Sequence, residues 1–388
     1  MVITSFETRP RRRAPQGILG VIASVDITLV VCTLVVAGLG VLMVYTATRG
    51  GLLAAGYDPH YYLKRQAAWV IVGILAMVGF AVLDYRRLEQ FAMLIYGLTL
   101  LALLAVFVVG HHTLGSQRWF SIAGQQIQPS EFAVLAVILA VATFCSRRNE
   151  GLTWRDVFKV LLLAGIPIVL VMKQPDLGTA IVMVMILFVM LAVAGLPGRI
   201  LIVLLLAGAL IALVAFEAGL LQHYQISRLT TFLHQDTHNA QLQAQPSYYN
   251  LQQSKDAIGA GGLTGTGLLK GQATNLGYVP EQQTDFIFTA VGEQLGFIGA
   301  SITLFLLGLV SWRVLRTAQV ARDPFGRLLC AGCFAFLAFS IFQNAGMTMG
   351  IMPITGIPLP FMSYGGSAVL CFFIAVGITL SVYARRFG

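Results

Sequence analysis

Charge is what this sequence has least of. Asp, Glu, Lys and Arg make up only 11% of 388 residues, against roughly 25% in an ordinary soluble domain. With 57% of the chain hydrophobic, that scarcity excludes a soluble globular protein and indicates one that crosses a membrane many times. Cysteine is also sparse. Cys32, Cys145, Cys330, Cys333 and Cys371 all lie in or beside apolar runs, which excludes a disulfide framework and makes Cys330 and Cys333 packing residues rather than a metal clip. A cleavable signal peptide is missing; residues 1–24, with Arg9, Arg11, Arg12 and Arg13, read as a cytoplasmic tail. The formal charge of +9 is scattered between apolar runs, a pattern of membrane orientation that excludes nucleic acid as a partner.

What is present is a series of long apolar runs, at 25–46, 67–84, 91–109, 130–145, 158–173, 178–196, 198–218, 286–312, 327–350 and 365–384. They predict a single polytopic domain over 1–388, an all-α integral membrane protein of about ten helices. Lys and Arg concentrate on the segments that share a side with the N-terminus, including Arg86, Arg87, Arg147, Arg148, Arg313, Arg316, Arg385 and Arg386, so both termini read as cytoplasmic. The segments 47–66, 110–129, 219–285 and 351–364 then lie outside, with a short link at 173–178. The 219–285 stretch, before the eighth span, is the one large extracytoplasmic loop. It starts amphipathic at 224–233, turns Gln-rich at 234–253 and becomes Gly-rich at 259–271. A loop of that length inside a compact protein is usually functional.

Asp285 stands where that loop meets the eighth span, directly before Phe286, Ile287 and Phe288. An acid at a membrane boundary is kept for pairing or for chemistry; the plainer reading is a helix N-cap after Thr284. Arg118 and Trp119 follow Gln117 in an outer segment, where an arginine suits a phosphate or pyrophosphate; the alternative is interfacial anchoring. Glu131 opens the fourth span and needs a partner there if ionised. Lys173 and Asp176 bracket a Pro175 turn and would pair with each other or with a charged ligand. Glu293 lies eight residues beyond Asp285, on roughly the same side of the helix and deeper, facing the bundle interior, where a structural hydrogen bond is at least as good a reading as a catalytic role.

The Gly-rich stretch fails the phosphate-loop template, since no Gly-Lys-Ser/Thr occurs; its glycines suit close approach to another surface or a ligand, and its N–H groups a phosphate nest. His234, Asp236 and His238 have an alternate spacing that would suit a metal, although in a polar stretch solvated side chains are the commoner outcome. The segment 352–367, MPITGIPLPFMSYGGS, is irregular at membrane depth and so reads as a cavity wall.

The motifs GSQRWF (115–120), QPSE (128–131), KQPDLGT (173–179), YNLQQSKDAIGAGGLTGTGLLKG (249–271), VPEQQTDFIF (279–288) and ITGIPLPFMSYGGS (354–367) together resemble the SEDS family (shape, elongation, division and sporulation), its RodA branch more than its FtsW branch. The resemblance implies a ten-span peptidoglycan glycosyltransferase of the bacterial plasma membrane. Such an enzyme polymerises lipid II on the extracytoplasmic side and works with a class B penicillin-binding protein, the crosslinking transpeptidase. It places the family's essential acid at Asp285 and its outer-face Arg, Glu and Asp at Arg118, Glu131 and Asp176. One position departs from the family pattern: Val134 stands where the family usually has Lys.

The chemistry expected is a single inverting displacement with Asp285 as general base. The substrate-binding set is Arg118, Lys173, Glu131, Asp176, Gln117, Trp119 and Glu293. No cofactor is required and no protein metal site is assigned; a divalent cation, Mg or Mn, is the candidate companion of the pyrophosphate. A lipid-linked precursor flippase, a division-type polymerase and a scaffold for the transpeptidase are the competing readings. A carrier would gather its polar residues near the midplane, whereas these gather toward one side.

Overall fold

The computed structural model describes residues 24–113, 116–122, 125–148, 151–219, 223–235 and 243–387. Helices fall on every apolar run: α1 (Ile27–Ala54), α2 (Tyr61–Val82), α3 (Tyr85–Val109), α4 (Pro129–Ser146), α5 (Trp154–Lys173), α6 (Leu177–Val193), α7 (Gly198–Glu217), then, beyond three shorter helices, α11 (Ile287–Val320), α12 (Pro324–Thr348) and α13 (Gly366–Ala384). Short polar side chains set where several begin. Asp26, Asp84, Asp176 and Asp323 each accept a backbone N–H from the turn that follows, and Thr153 with Asp156 forms a capping box ahead of α5. Among the described residues, seven helices, α1 to α4 and α11 to α13, are long and apolar enough to cross a membrane, while α6 and the first part of α7 are shorter apolar helices. α5 carries Arg155, Asp156 and Lys159 in its first turns and Pro167 within it.

α4 is the axis of the bundle. Its residues from Ala133 to Ala142 are all buried, against α3, α5, α6, α12 and α13. α13 is buried almost as fully and lies along α2. The opposite pattern holds on α7, whose Ile202, Leu206 and Ile211 are all more than half exposed, as side chains that face lipid need to be.

The chain is mostly helical, as expected, with one departure. The 110–129 segment folds into strands β1 (His111–Thr113), β2 (Ser116–Ile122) and β3 (Gln125–Ile127), paired antiparallel in that order. β1 and β3 have three residues each, too few to show a period of two, and β2, SQRWFSI, does not alternate. The large loop carries three helices among its described residues, α8 (His223–Leu233), which covers the amphipathic stretch, α9 (Pro246–Gly261) and α10 (Gln272–Leu276).

The glycine-rich stretch has a specific employment. α11 is broken at Gly296, whose φ is 66°, and the chain after α9 fills the break. Thr266 and Gly267 donate their N–H groups to the carbonyls of Glu293 (2.9 Å) and Gln294 (3.1 Å), while Phe297 and Ile298 donate to Gly262 (2.8 Å) and Leu263 (3.1 Å). An open break among apolar helices would leave these groups unsatisfied at several kcal/mol each. The fit leaves no room for a side chain, because a Cβ on Gly265 would lie 2.2 Å from the Gln294 carbonyl oxygen. The close approach is thus to another surface, and the N–H groups of Gly265, Thr266, Gly267, Leu269 and Lys270 are engaged within the protein.

Candidate functional site

The site is assembled at one end of the bundle from α8, the α5–α6 turn, β2, the turn before α11 and the irregular segment before α13. Asp285 closes a turn, with its N–H donating to the Glu281 carbonyl at 3.1 Å. It does not cap α11: the N-cap is Phe286, and no side chain bonds there. Its carbonyl accepts 2.8 Å from Asn344 Nδ2, which also donates to the Ile357 carbonyl at 2.8 Å. One buried amide on α12 therefore ties the Asp285 turn to the segment expected to be a cavity wall. That segment is irregular and buried, with Ile354, Ile357, Leu359, Phe361, Met362 and Ser363 all closed to solvent.

The Asp285 carboxylate is half-buried and faces Gly356, where a Cβ would lie 3.0 Å from Oδ2 and 3.9 Å from Arg228 Nη1. With φ at 75°, position 356 needs glycine for its backbone as well as for this space. Arg228, on α8, thus shares one small opening with Asp285. Burial raises the Asp285 pKa to about 6, while Arg228 and Arg118 act to lower it and Glu281 and Asp176 to raise it. The result is a carboxylate more basic than usual that is still ionised at neutral pH.

Arg118, on β2, donates to the Pro175 carbonyl, which also accepts from the Tyr224 hydroxyl at 2.5 Å. Its buried Nε has no partner among the described residues. Trp119 donates through Nε1 to Gln128 Oε1 at 3.1 Å, and Gln117 sits on β2 in register with His112. Lys173 is exposed at the end of α5.

Of the remaining acids of the expected set, Asp176 and Glu293 are employed in holding elements together. Asp176 does not pair with Lys173. Its Oδ2 accepts from Gln128 Nε2 (2.8 Å), Ser130 Oγ (2.9 Å) and Thr179 Oγ1 (2.9 Å), and its Oδ1 caps α6. Glu293 is buried and accepts from the N–H groups of Ala273 (2.7 Å) and Thr274 (3.0 Å) and from the Thr274 hydroxyl (2.5 Å), so it anchors α10 to α11. Glu131 is 7% exposed and lines a small cavity with Val134, Thr179, Ser340 and Phe372. No cation lies within ion-pair distance of it among the described residues. Cys330 and Cys333 are buried free thiols. Asp236 and His238 lie outside the described residues, and among those described no three His, Cys, Asp or Glu converge as metal ligands. The cations the chain supplies near Asp285 are Arg228 and Arg118.

Sequence reasoning missed Arg228, Asn344 and Gly356. Arg228 carried a signal, as the one cation in the amphipathic 224–233 stretch. Asn344 carried none, since a lone amide in an apolar run has no pattern.

The profile of the FtsW/RodA/SpoVE family, described as "Cell cycle protein", matches residues 27–386. The chain is 36% identical to stage V sporulation protein E of Bacillus subtilis, over 93% of this chain and 98% of that one. It is 36% identical to peptidoglycan glycosyltransferase MrdB of Escherichia coli, over 84% and 86%. Among solved structures it resembles one described as "Structural coordination of polymerization and crosslinking by a peptidoglycan synthase complex", with a TM-score of 0.79 at 31% identity over 94% of this chain and 98% of that one. It also resembles rod shape determining protein RodA of Thermus thermophilus, with a TM-score of 0.68 at 28% identity over 94% and 98%.

Proposed function

The chain belongs to the FtsW/RodA/SpoVE family, and from that premise we propose that it is a peptidoglycan glycosyltransferase that extends glycan strands from lipid II at the outer face of the bacterial plasma membrane. The Asp285 end of the bundle is then extracytoplasmic, both termini are cytoplasmic and the ten long helices are the spans. The proposed partner is a class B penicillin-binding protein, in keeping with the likeness to a synthase complex that couples polymerisation and crosslinking. The proposed role is wall elongation and cell shape, on the RodA-like wording of 279–288 and 354–367; identities of 36% to both the sporulation protein and MrdB leave that choice to the motifs.

The observation that carries the activity is the shared opening of Asp285 and Arg228 at Gly356. In the proposed step the acceptor's sugar hydroxyl attacks the anomeric carbon of the pyrophosphate-linked strand. A carbon–oxygen bond forms, the bond to pyrophosphate breaks with inversion, and the hydroxyl proton passes to Asp285. The negative charge that develops on the leaving pyrophosphate is met by Arg228 and Arg118, with Lys173 at the rim. A divalent cation, if the reaction uses one, arrives with the pyrophosphate as part of the substrate. Asp176, Glu131 and Glu293 are assigned to shaping the site.

The test is incubation of purified protein with lipid II, with its transpeptidase partner present, and sizing of the products. Polymer from wild type and none from well-folded Asp285→Asn protein is the expected result. Substantial turnover by Asp285→Asn would remove the base assignment, and no polymer from wild type would remove the activity. A carrier reading gains little from the break in α11, because its backbone is stitched by 262–267 and its acid, Glu293, is consumed by α10.

A further inference from the structure

The reaction just proposed, on which this inference rests, must hold two lipid-linked pyrophosphates at once. One leaves from the carbon under attack, so it lies within a few bonds of the base, where Arg228 and Arg118 are. The other belongs to the acceptor and sits at the far end of its disaccharide. It needs a second cationic place, on the other side of Asp285.

The same end of the bundle carries a cluster that the site described above does not use. Arg65, in the first turns of α2, lies 4.6 Å over the Tyr61 ring. Tyr61 meets Tyr62 edge-on at 5.1 Å, and Tyr62 meets Tyr364 edge-on at 5.0 Å. Arg65 hydrogen-bonds the Tyr364 hydroxyl. The cluster is joined to the base by backbone: the Tyr364 N–H donates 2.8 Å to the carbonyl of Gln283, two residues before Asp285. Gln66, next to Arg65, donates 3.1 Å to the Ser363 carbonyl and is fully buried, which fixes the first turn of α2 to the same segment. The irregular segment before α13 therefore touches Arg228 and Asp285 at Gly356, and Arg65 and the tyrosines at Tyr364. The short stretch Gln283–Asp285 thus joins the two cationic places, Gln283 at Tyr364 and Asp285 at Gly356.

We propose that Arg65, Tyr61, Tyr62 and Tyr364 form the second subsite, which binds the acceptor's pyrophosphate and the sugar attached to it. A guanidinium supplies paired donors for phosphate oxygens. Tyrosine rings supply apolar faces with a polar edge, as a sugar ring requires. Phosphate of an ordinary lipid headgroup shares the first half of this chemistry but not the second.

The test uses Asp285→Asn protein in nanodiscs of uncharged lipid, titrated with lipid II. Two equivalents are expected to bind, and adding Arg65→Ala should remove one or weaken it at least tenfold. Arg65→Lys should keep more of it than Arg65→Ala, and Tyr364→Phe, which retains the ring, should weaken it severalfold. Two equivalents of unchanged affinity in Arg65→Ala would overturn the proposal, as would a single equivalent before Arg65 is altered. Displacement of the second equivalent by phosphatidylglycerol as readily as by lipid II would make the cluster a headgroup anchor and overturn it too. A kinetic arm on the Asp285 background of the native chain uses a donor whose own attacking hydroxyl is blocked. Arg65→Ala should raise KM for the acceptor about tenfold and leave KM for the donor in place; an equal rise in both would count as a structural effect and against the subsite. Absence of turnover in wild type would count against glycosyl transfer, and the binding titration would still decide the subsite.

Discussion

At the end of the bundle away from Asp285, each of five acids has an arginine partner. Asp26 meets Arg313 at 2.5 Å, Arg148 meets Asp156 at 3.1 Å, Arg147 meets Glu89 at 3.3 Å, Arg385 meets Asp84 at 3.8 Å and Arg86 meets Asp323 at 4.0 Å. At the Asp285 end the ion pairs among the described residues belong to Asp58, with Lys64 and His60. Asp176 and Glu293 are saturated by neutral donors, while Asp285 faces Arg228 across an opening without a direct bridge. One end spends its acids on pairing with arginines that hold helices together. The other leaves Asp285 beside Arg228 without a direct ion pair among the described residues, a state that is costly unless a charged substrate completes it.

This contrast is open to being broken by substitution. The largest effect should come from Asp285→Asn, with polymerisation lowered about 10³-fold by loss of the base and a thermal unfolding transition close to wild type. Arg228→Ala should lower turnover about 10²-fold and also move the pH profile. The wild-type rate should rise as Asp285 ionises near pH 6. Arg228 holds that pKa down, so its removal should shift the acid limb to higher pH; a shift to lower pH, or none, would separate Arg228 from the base. Arg313→Ala at the opposite end should leave Asp26 buried and unpaired at a cost of about 3 kcal/mol, read as a lower unfolding temperature, with the turnover of the folded fraction preserved. Asp58→Ala, which breaks an exposed pair at the Asp285 end, should change neither unfolding temperature nor rate measurably, because such pairs are screened.

Much of this division was legible in the chain itself. Apolar runs marked the helices because a bilayer permits few ways to satisfy a backbone, and Asp285 stood out because an acid beside Phe286, Ile287 and Phe288 is expensive there. Arg118 was visible for the same reason. The sheet at 111–127 was not, because β1 and β3 have three residues each and β2, SQRWFSI, does not alternate. Asp176 read as pairing with Lys173 or a charged ligand, and Glu293 as either a structural hydrogen-bond acceptor or a site acid; their donors, Gln128 and the N–H groups of α10, are far away in sequence. The glycines at 261–267 announced a close approach without saying to what; the partner was a break in a helix some thirty residues on.

By itself, then, the sequence determined that this is a polytopic helical membrane protein and which acid stands at its boundary, because hydropathy and the cost of charge are properties of each residue in its own neighbourhood. Which cations face that acid was decided only in three dimensions. Arg228, Gly356 and Asn344 come from α8, an irregular segment and α12, and they meet Asp285 because packing and one buried amide bring four distant stretches of chain to one opening.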